Sequence, residues 1–339
     1  MQEHYENRFT FAHYRFHLTP LEPLEMPAGN KGSSIRGGFG TIFRRLVCID
    51  LRLECAACNL RYTCPYTRVF NPFVPPEADR LSKNQNIPRP FVVKPPLESK
   101  TRYLPGEPLV FDFVVVGEAI DYLLYFVVAF RELGEGGFGL NRARCVLSSI
   151  EALGLDGEVS AVYDGREGIV CPPQENLSWQ ALTAQAAAFS DLREITAHFL
   201  TPTTLKAEGE MVAVPQFPAF IKRLRDRVNA LAYFYCNKAL DLDFKELGWR
   251  AEKVKEVAVR SRWIDRSRRT RKGMTQDLSG FVGEVTYRGD LEPFLPLLLL
   301  GEHVHVGKGA AFGNGWYQLG LPAVRPERSE AESKDERLP

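Results

Sequence analysis

Residues 297–321 read LLLLGEHVHVGKGAAFGNGWYQLGL. The apolar run ends at Gly301 and predicts the close of a helix, while GWYQLGL has the apolar and aromatic content of a strand. Between them stand His303, His305 and Lys308, with Gly307, Gly309, Gly313 and Gly315. Just upstream, LSGFVGEVTYRG (278–289) reads as a strand. DLEPFLPLLLLGEHVHVG then reads as a short helix with its N-cap at Asp290. Strand, helix, glycine loop, strand is the closing half of a split βαβ unit.

Working outward completes that unit. LREITAHFLTPTTLKAEG (192–209) reads as strand and turn. FPAFIKRLRDRVNALAYFYC (217–236) is a helix with Phe220, Leu224, Val228 and Leu231 on one face. Residues 251–273 begin helix- or strand-like and turn strongly basic. The first half repeats the order. RFTFAHYRFHLTP (8–20) alternates as a strand does, and Ile35, Phe39, Ile42, Phe43 and Leu46 recur at helical spacing. PLVFDFVVVG, EAIDYLLYFVVAFRELG and the segments after it then read strand, helix, strand, strand. The expected fold is α+β: two tandem ferredoxin-like (RRM-like) domains, residues 1–190 and 191–324, with a cysteine-rich insertion at about 48–105 in the first. Residues 165–190 read as a linker or short surface structure. Residues 325–339 have almost no apolar content and read as a disordered tail.

The 339 residues suffice for two ordinary domains. A formal charge of +1 excludes a general polycation, so any nucleic-acid site must come from local clustering. The N-terminal residues lack an apolar signal core. The longest apolar runs, YLLYFVVAF and FLPLLLLG, fall short of the roughly 20 residues that a membrane helix needs. The expectation is a cytoplasmic protein with no membrane contact.

Four features could carry chemistry. Closely spaced glycines permit positive φ and bare backbone N–H groups to phosphate. The pattern is neither a Walker loop nor a dinucleotide fingerprint, and a tight helix-to-strand connection would use the same glycines. His303 and His305, at i and i+2, would share a face in an extended segment and suit proton transfer near neutral pH. Merely hydrogen-bonded histidines would look the same. Residues 250–272 hold ten Lys or Arg against three acids, with Trp263 inside the segment and Tyr287 nearby, which suits RNA backbone contact and stacking. A solvated, balanced face is the plainer alternative. Finally, Cys48, Cys55, Cys58 and Cys64 stand in a C-x6-C-x2-C-x5-C pattern able to close a structural zinc site. Free thiols or an iron–sulfur cluster would fit the same spacing less well.

Together, SSIRGGFGTIFRRLVC, CPYTRVFNP, the cysteines and the late GFVGEVTYRGDLEPFLPLLLLGEHVHVGKGAAFGNGWYQL resemble the CRISPR precursor-RNA processing endoribonucleases of the RAMP superfamily. The most specific match is Gly307, five residues, then Gly313-Asn314-Gly315. The resemblance implies cleavage of CRISPR repeat RNA without a catalytic cofactor, a 2′-hydroxyl attacking the adjacent phosphorus. The products would be a 2′,3′-cyclic phosphate and a 5′-hydroxyl. Many members carry a histidine at the first helix, where this chain has none. The expected catalytic set is therefore His305, then His303, with Lys308 and Tyr317; Lys31, Arg36 and Tyr14 follow. The expected RNA-binding set is Gly307, Gly309, Gly313, Gly315, Arg36, Arg266, Arg268, Arg269, Arg271 and Lys272. Effector-complex subunits are further expected partners, and the chain would act as a monomer or homodimer. Two other readings stay open: a non-catalytic RAMP subunit that holds guide RNA, and a zinc-bearing interaction module with no RNA role.

Overall fold

The computed structural model describes residues 9–29, 31–78, 87–207, 210–212, 214–269 and 273–322. The tail expected at 325–339 lies outside the described residues. In the first half, β1 (Thr10–Pro20) leads into α1 (Lys31–Val47) and the short α2 (Pro65–Phe70). Then come β2 (Phe91–Lys94), β3 (Leu109–Val116), α3 (Leu123–Glu135) and β4 (Cys145–Leu153). The sheet order is β2-β3-β1-β4, all antiparallel. It extends past β4 through β5 (Val159–Asp164) and β6 (Ile169–Val170), while β7 (Leu177–Ser178) pairs with the start of β1.

The stretch expected as a linker also forms α4 (Trp179–Ala187), whose Ser178 side chain caps the backbone N–H of Ala181. The second half has β8 (Glu194–Thr203), α5 (Phe217–Tyr235), α6 (Phe244–Ala251), β9 (Lys255–Ile264), β10 (Gly280–Arg288), α7 (Leu295–Val304) and β11 (Tyr317–Gly320). Its sheet runs β9-β10-β8-β11. Strand for strand this is the order of the first half, so both are ferredoxin-like βαββαβ units.

Two-sided alternation on β1 joins the halves. Ala12, Tyr14, Phe16 and Leu18 enter the core beneath α1 and α3, where Phe39 stacks on Phe130 at 4.7 Å. Phe9 and Phe11 point the other way, and with Val92, Val114 and Val116 they join the core of α5 and α7. Each fully buried Phe contributes about 1.5–3 kcal/mol. At Gly117 (φ 59) the chain passes so close to the Tyr235 carbonyl that a side chain would collide with it.

Within the bounds expected for the insertion lie a short 3₁₀ turn at Cys55–Ala57, α2 and the four-residue strand β2. Among the described residues, no three His, Cys, Asp or Glu side chains gather as a set able to hold a metal. In this loop Arg44 donates to the carbonyls of Leu51 and Leu53, and the Cys48 thiol donates to the Asp50 carbonyl. Cys48, Cys55, Cys58 and Cys64 form no disulfide, and the Cys55 thiol pKa is raised by burial, with Cys48, Cys64 and Cys58 close enough to add to the effect.

Candidate nucleic-acid interface

A cleft of about 200 Å³ opens between the halves at the amino end of α1. One wall is Gly29, Lys31, Gly32 and the Pro95–Glu98 turn; the other is Thr201, Pro202, Arg262, Arg266 and the loop residues Phe312–Asn314. The Arg266 guanidinium lies against Gly29, where an added Cβ would sit 2.9 Å from its Nη2. Burial lowers its pKa, and among the described residues no carboxylate pairs with it. Lys31 is buried beneath the cleft floor, donating to the Glu98 carbonyl at 2.7 Å. Burial pulls its ammonium below the usual lysine range. Two cationic side chains thus line the cleft at the start of a 17-residue helix, and Lys31 also faces the Glu98 carboxylate at 3.9 Å.

The histidines are elsewhere. The helix persists through Val304, so His303 and His305 do not share an extended face, and His305 ends the helix with φ 61. His305 is fully buried, its Nδ1 3.1 Å from the Asn314 carbonyl and its ring stacked on Trp316 at 5.9 Å. Burial pushes its pKa well below the usual imidazole range, with the charge of Lys94 adding to the effect. His303 packs against Phe11 and meets His13 edge-on at 5.4 Å. Burial and the Lys94 charge likewise push its pKa far down. Tyr317 is buried too; its hydroxyl donates to the Leu298 carbonyl at 2.6 Å. His305 and Tyr317 are thus engaged inside the fold, while His303 is half-buried at the junction between halves, where α7 carries it. Lys308 is exposed on the loop. Tyr14, a weaker candidate, is fully buried under the first sheet.

A polar network borders that junction. Asp112 takes His13 at 3.0 Å and Arg15 at 2.8 and 3.2 Å. Burial would raise its carboxyl, but these hydrogen bonds win and hold it at about 2. Burial moves Lys94 down to about 8 and Glu302 up to about 7. Lys94 sits 4.8 Å from the Trp316 ring, and Glu302 accepts from the Leu319 backbone N–H at 2.7 Å.

The motif glycines are required by packing. Gly307, Gly309, Gly313 and Gly315 all have positive φ. A Cβ at Gly315 would collide with the Val306 carbonyl, and one at Gly307 with the Thr204 carbonyl. Gly313 lies against Pro95 and Val93 of the first half, and Gly32 against the Phe312 carbonyl. Of the four, only Gly313 lines the cleft. Arg36 spreads over Phe312, 4.3 Å from its ring. Beyond β9 the basic segment forms a hairpin, Ser267–Arg269 with Thr275–Asp277, which carries Arg268 and Arg269. Arg271 and Lys272 lie outside the described residues. Trp263 is partly exposed, whereas Tyr287 is buried and bonded to the Pro215 carbonyl at 2.6 Å, so it offers no stacking platform.

The sequence reading passed over Arg262 and ranked Lys31 low. The signal available was GNKGSS, a lysine between glycines directly before a helix.

Three comparisons bear on this arrangement. Residues 197–317 match the family model described as CRISPR-associated endoribonuclease Cas6, and residues 9–175 match the N-terminal domain model AF_1859_N. An uncharacterized protein of Archaeoglobus fulgidus is 27% identical over 314 residues, covering 90% of this chain and 93% of its own length. Among solved structures, Thermus thermophilus Cas6 superposes with a TM-score of 0.51 at 17% identity, over 92% of this chain and 98% of that one. A chain of a partial Cas6-RT-Cas1–Cas2 complex gives 0.57 at 14% identity, over 95% of this chain and 49% of that one. These structural likenesses concern the fold. With one family model on each half, the chain belongs to the Cas6/RAMP superfamily.

Proposed function

We propose that this protein is an endoribonuclease that cuts CRISPR precursor RNA within its repeats, in the cleft between the halves. The observation that carries the reading is that Lys31 and Arg266 both line the cleft at the amino end of α1. Cleavage forms a bond from the 2′-oxygen to phosphorus and breaks the bond to the 5′-oxygen, leaving a 2′,3′-cyclic phosphate and a 5′-hydroxyl. One proton leaves the 2′-oxygen and one reaches the departing 5′-oxygen. A lysine whose pKa burial has lowered is closer to neutrality and better suited to move that proton. Arg266 opposes the charge that builds on the phosphorane, in a site that has already shed part of its water. The hairpin arginines hold the flanking backbone. The chemistry asks for no metal, and CRISPR effector subunits would receive the product.

The test is a labelled repeat RNA incubated with the protein in EDTA, with the cleavage site and end groups mapped. Lys31→Met should lower the single-turnover rate by about 10²-fold or more. In the wild type the rate should rise with pH and level off below the ordinary lysine value of 10.5. Wild-type cleavage by Lys31→Met would remove the lysine from the mechanism.

One observation favours a second reading, a guide-holding subunit without catalysis: no histidine lines the cleft. Tight, salt-dependent binding of the same RNA without product would support it.

A further inference from the structure

We infer that a second surface, the groove along the outer side of α1, holds the phosphodiester backbone of the RNA where it leaves the cleft. The inference rests on the cleft being an RNA site. The groove measures about 940 Å³ and runs between α1 and the loop after α3. Arg36, Arg44, Arg45 and Arg142 line it; no Asp or Glu is in the lining, and Glu132 accepts from Arg45 at 2.7 Å from beside it. Its position is continuous with the cleft, because Arg36 lies over Phe312 of the loop that forms the cleft wall.

The groove is also shaped for close approach. Its lining includes Gly37, Gly38 and Gly40 on α1 and Gly136, Gly137 and Gly139 on the opposite loop. Gly40 has an internal reason, since a Cβ there would press on the Phe70 ring at 2.7 Å. Gly37 has none: nothing lies within 4 Å of where its Cβ would be. A glycine inside a helix weakens it relative to alanine. At Gly37 the fold gives no return for that weakening, whereas an external backbone reaching the helix surface would. Opposite, Gly137, Gly139 and Arg142 all adopt positive φ, which fixes the loop that presents the exposed Arg142 side chain.

A phosphate chain fits these features better than a protein partner. Guanidinium groups bind phosphate through paired N–H donors, and four of them against the single carboxylate of Glu132 disfavour a mixed-charge protein face.

The experiment compares a ~30-nucleotide repeat RNA with a ~8-nucleotide fragment short enough to stay in the cleft. The double variant Arg45→Glu/Arg142→Glu changes two exposed side chains. It should weaken the long RNA by about tenfold or more and flatten its salt dependence by about two in log–log slope. The short RNA should lose far less. Gly37→Val should weaken the long RNA in the same selective way, with circular dichroism confirming the fold. Equal losses for both RNAs, or none, would overturn the inference. Arg266→Glu separates the two sites. If it spares both RNAs while the groove variants weaken the long one, the cleft reading fails and the groove stands. If it weakens both and the groove variants do nothing, the reverse holds.

Discussion

The two halves share one topology, yet the first helices of the two units begin in opposite surroundings. At α5 the leading N–H of Phe217 is taken by the Glu256 carboxylate at 2.6 Å. The favourable place for an anion at a helix start is thus filled from within the fold. At α1 the equivalent place faces the cleft, beside Lys31 and Arg266. The duplicated unit therefore carries one helix start met by a carboxylate from within and one that borders a cleft between the halves. The proposed RNA site lies at the second.

The contrast can be broken from either side. Arg266→Glu would replace a cleft cation with a second carboxylate beside that of Glu98. Repeat-RNA affinity should then fall by about 10²-fold or more, read by filter binding at fixed salt, with the melting temperature little changed. Undiminished affinity would mean that the cleft is not the RNA site. Glu256→Ala uncaps α5 and should destabilise the protein by about 1–3 kcal/mol in urea denaturation, with RNA affinity unchanged. The smallest effect concerns Glu302. Its folded pKa is raised from 4.5 to about 7, so the folded state bears a cost that is absent below pH 4.5, grows between the two values and is complete above pH 7. Glu302→Gln should raise the melting temperature at pH 8 and leave it nearly unchanged at pH 4.5. An equal gain at both pH values would disconnect the effect from ionisation.

Periodicity made the architecture legible. Tyr14, Phe16 and Leu18 on β1, and Phe220, Leu224, Val228 and Leu231 on α5, are buried as their spacing predicts. Residues 165–190 were obscure because α4 is short and its packing on α7 depends on distant residues. The site was harder to read than the fold. His303 and His305 look alike in one dimension, and only the continuation of α7 to Val304 reveals that they part, His305 buried and His303 half-buried. Lys31 carries the opposite lesson, since an isolated lysine acquires meaning only when Arg266 arrives from 235 positions away. The cysteine spacing suggests a ligand set, and hydrogen bonds made by Arg44 and by the Cys48 thiol shape the loop that carries it.

The shared core beneath Phe9 and Phe11 has a practical consequence. Cutting the chain between its two repeats would leave each fragment with an uncovered apolar flank, prone to association rather than refolding. The duplication visible in the topology is therefore not modular in use. An engineer who wants the cleft must keep both repeats, and a binding wall built this way keeps a set width because the parts that form it fold as one.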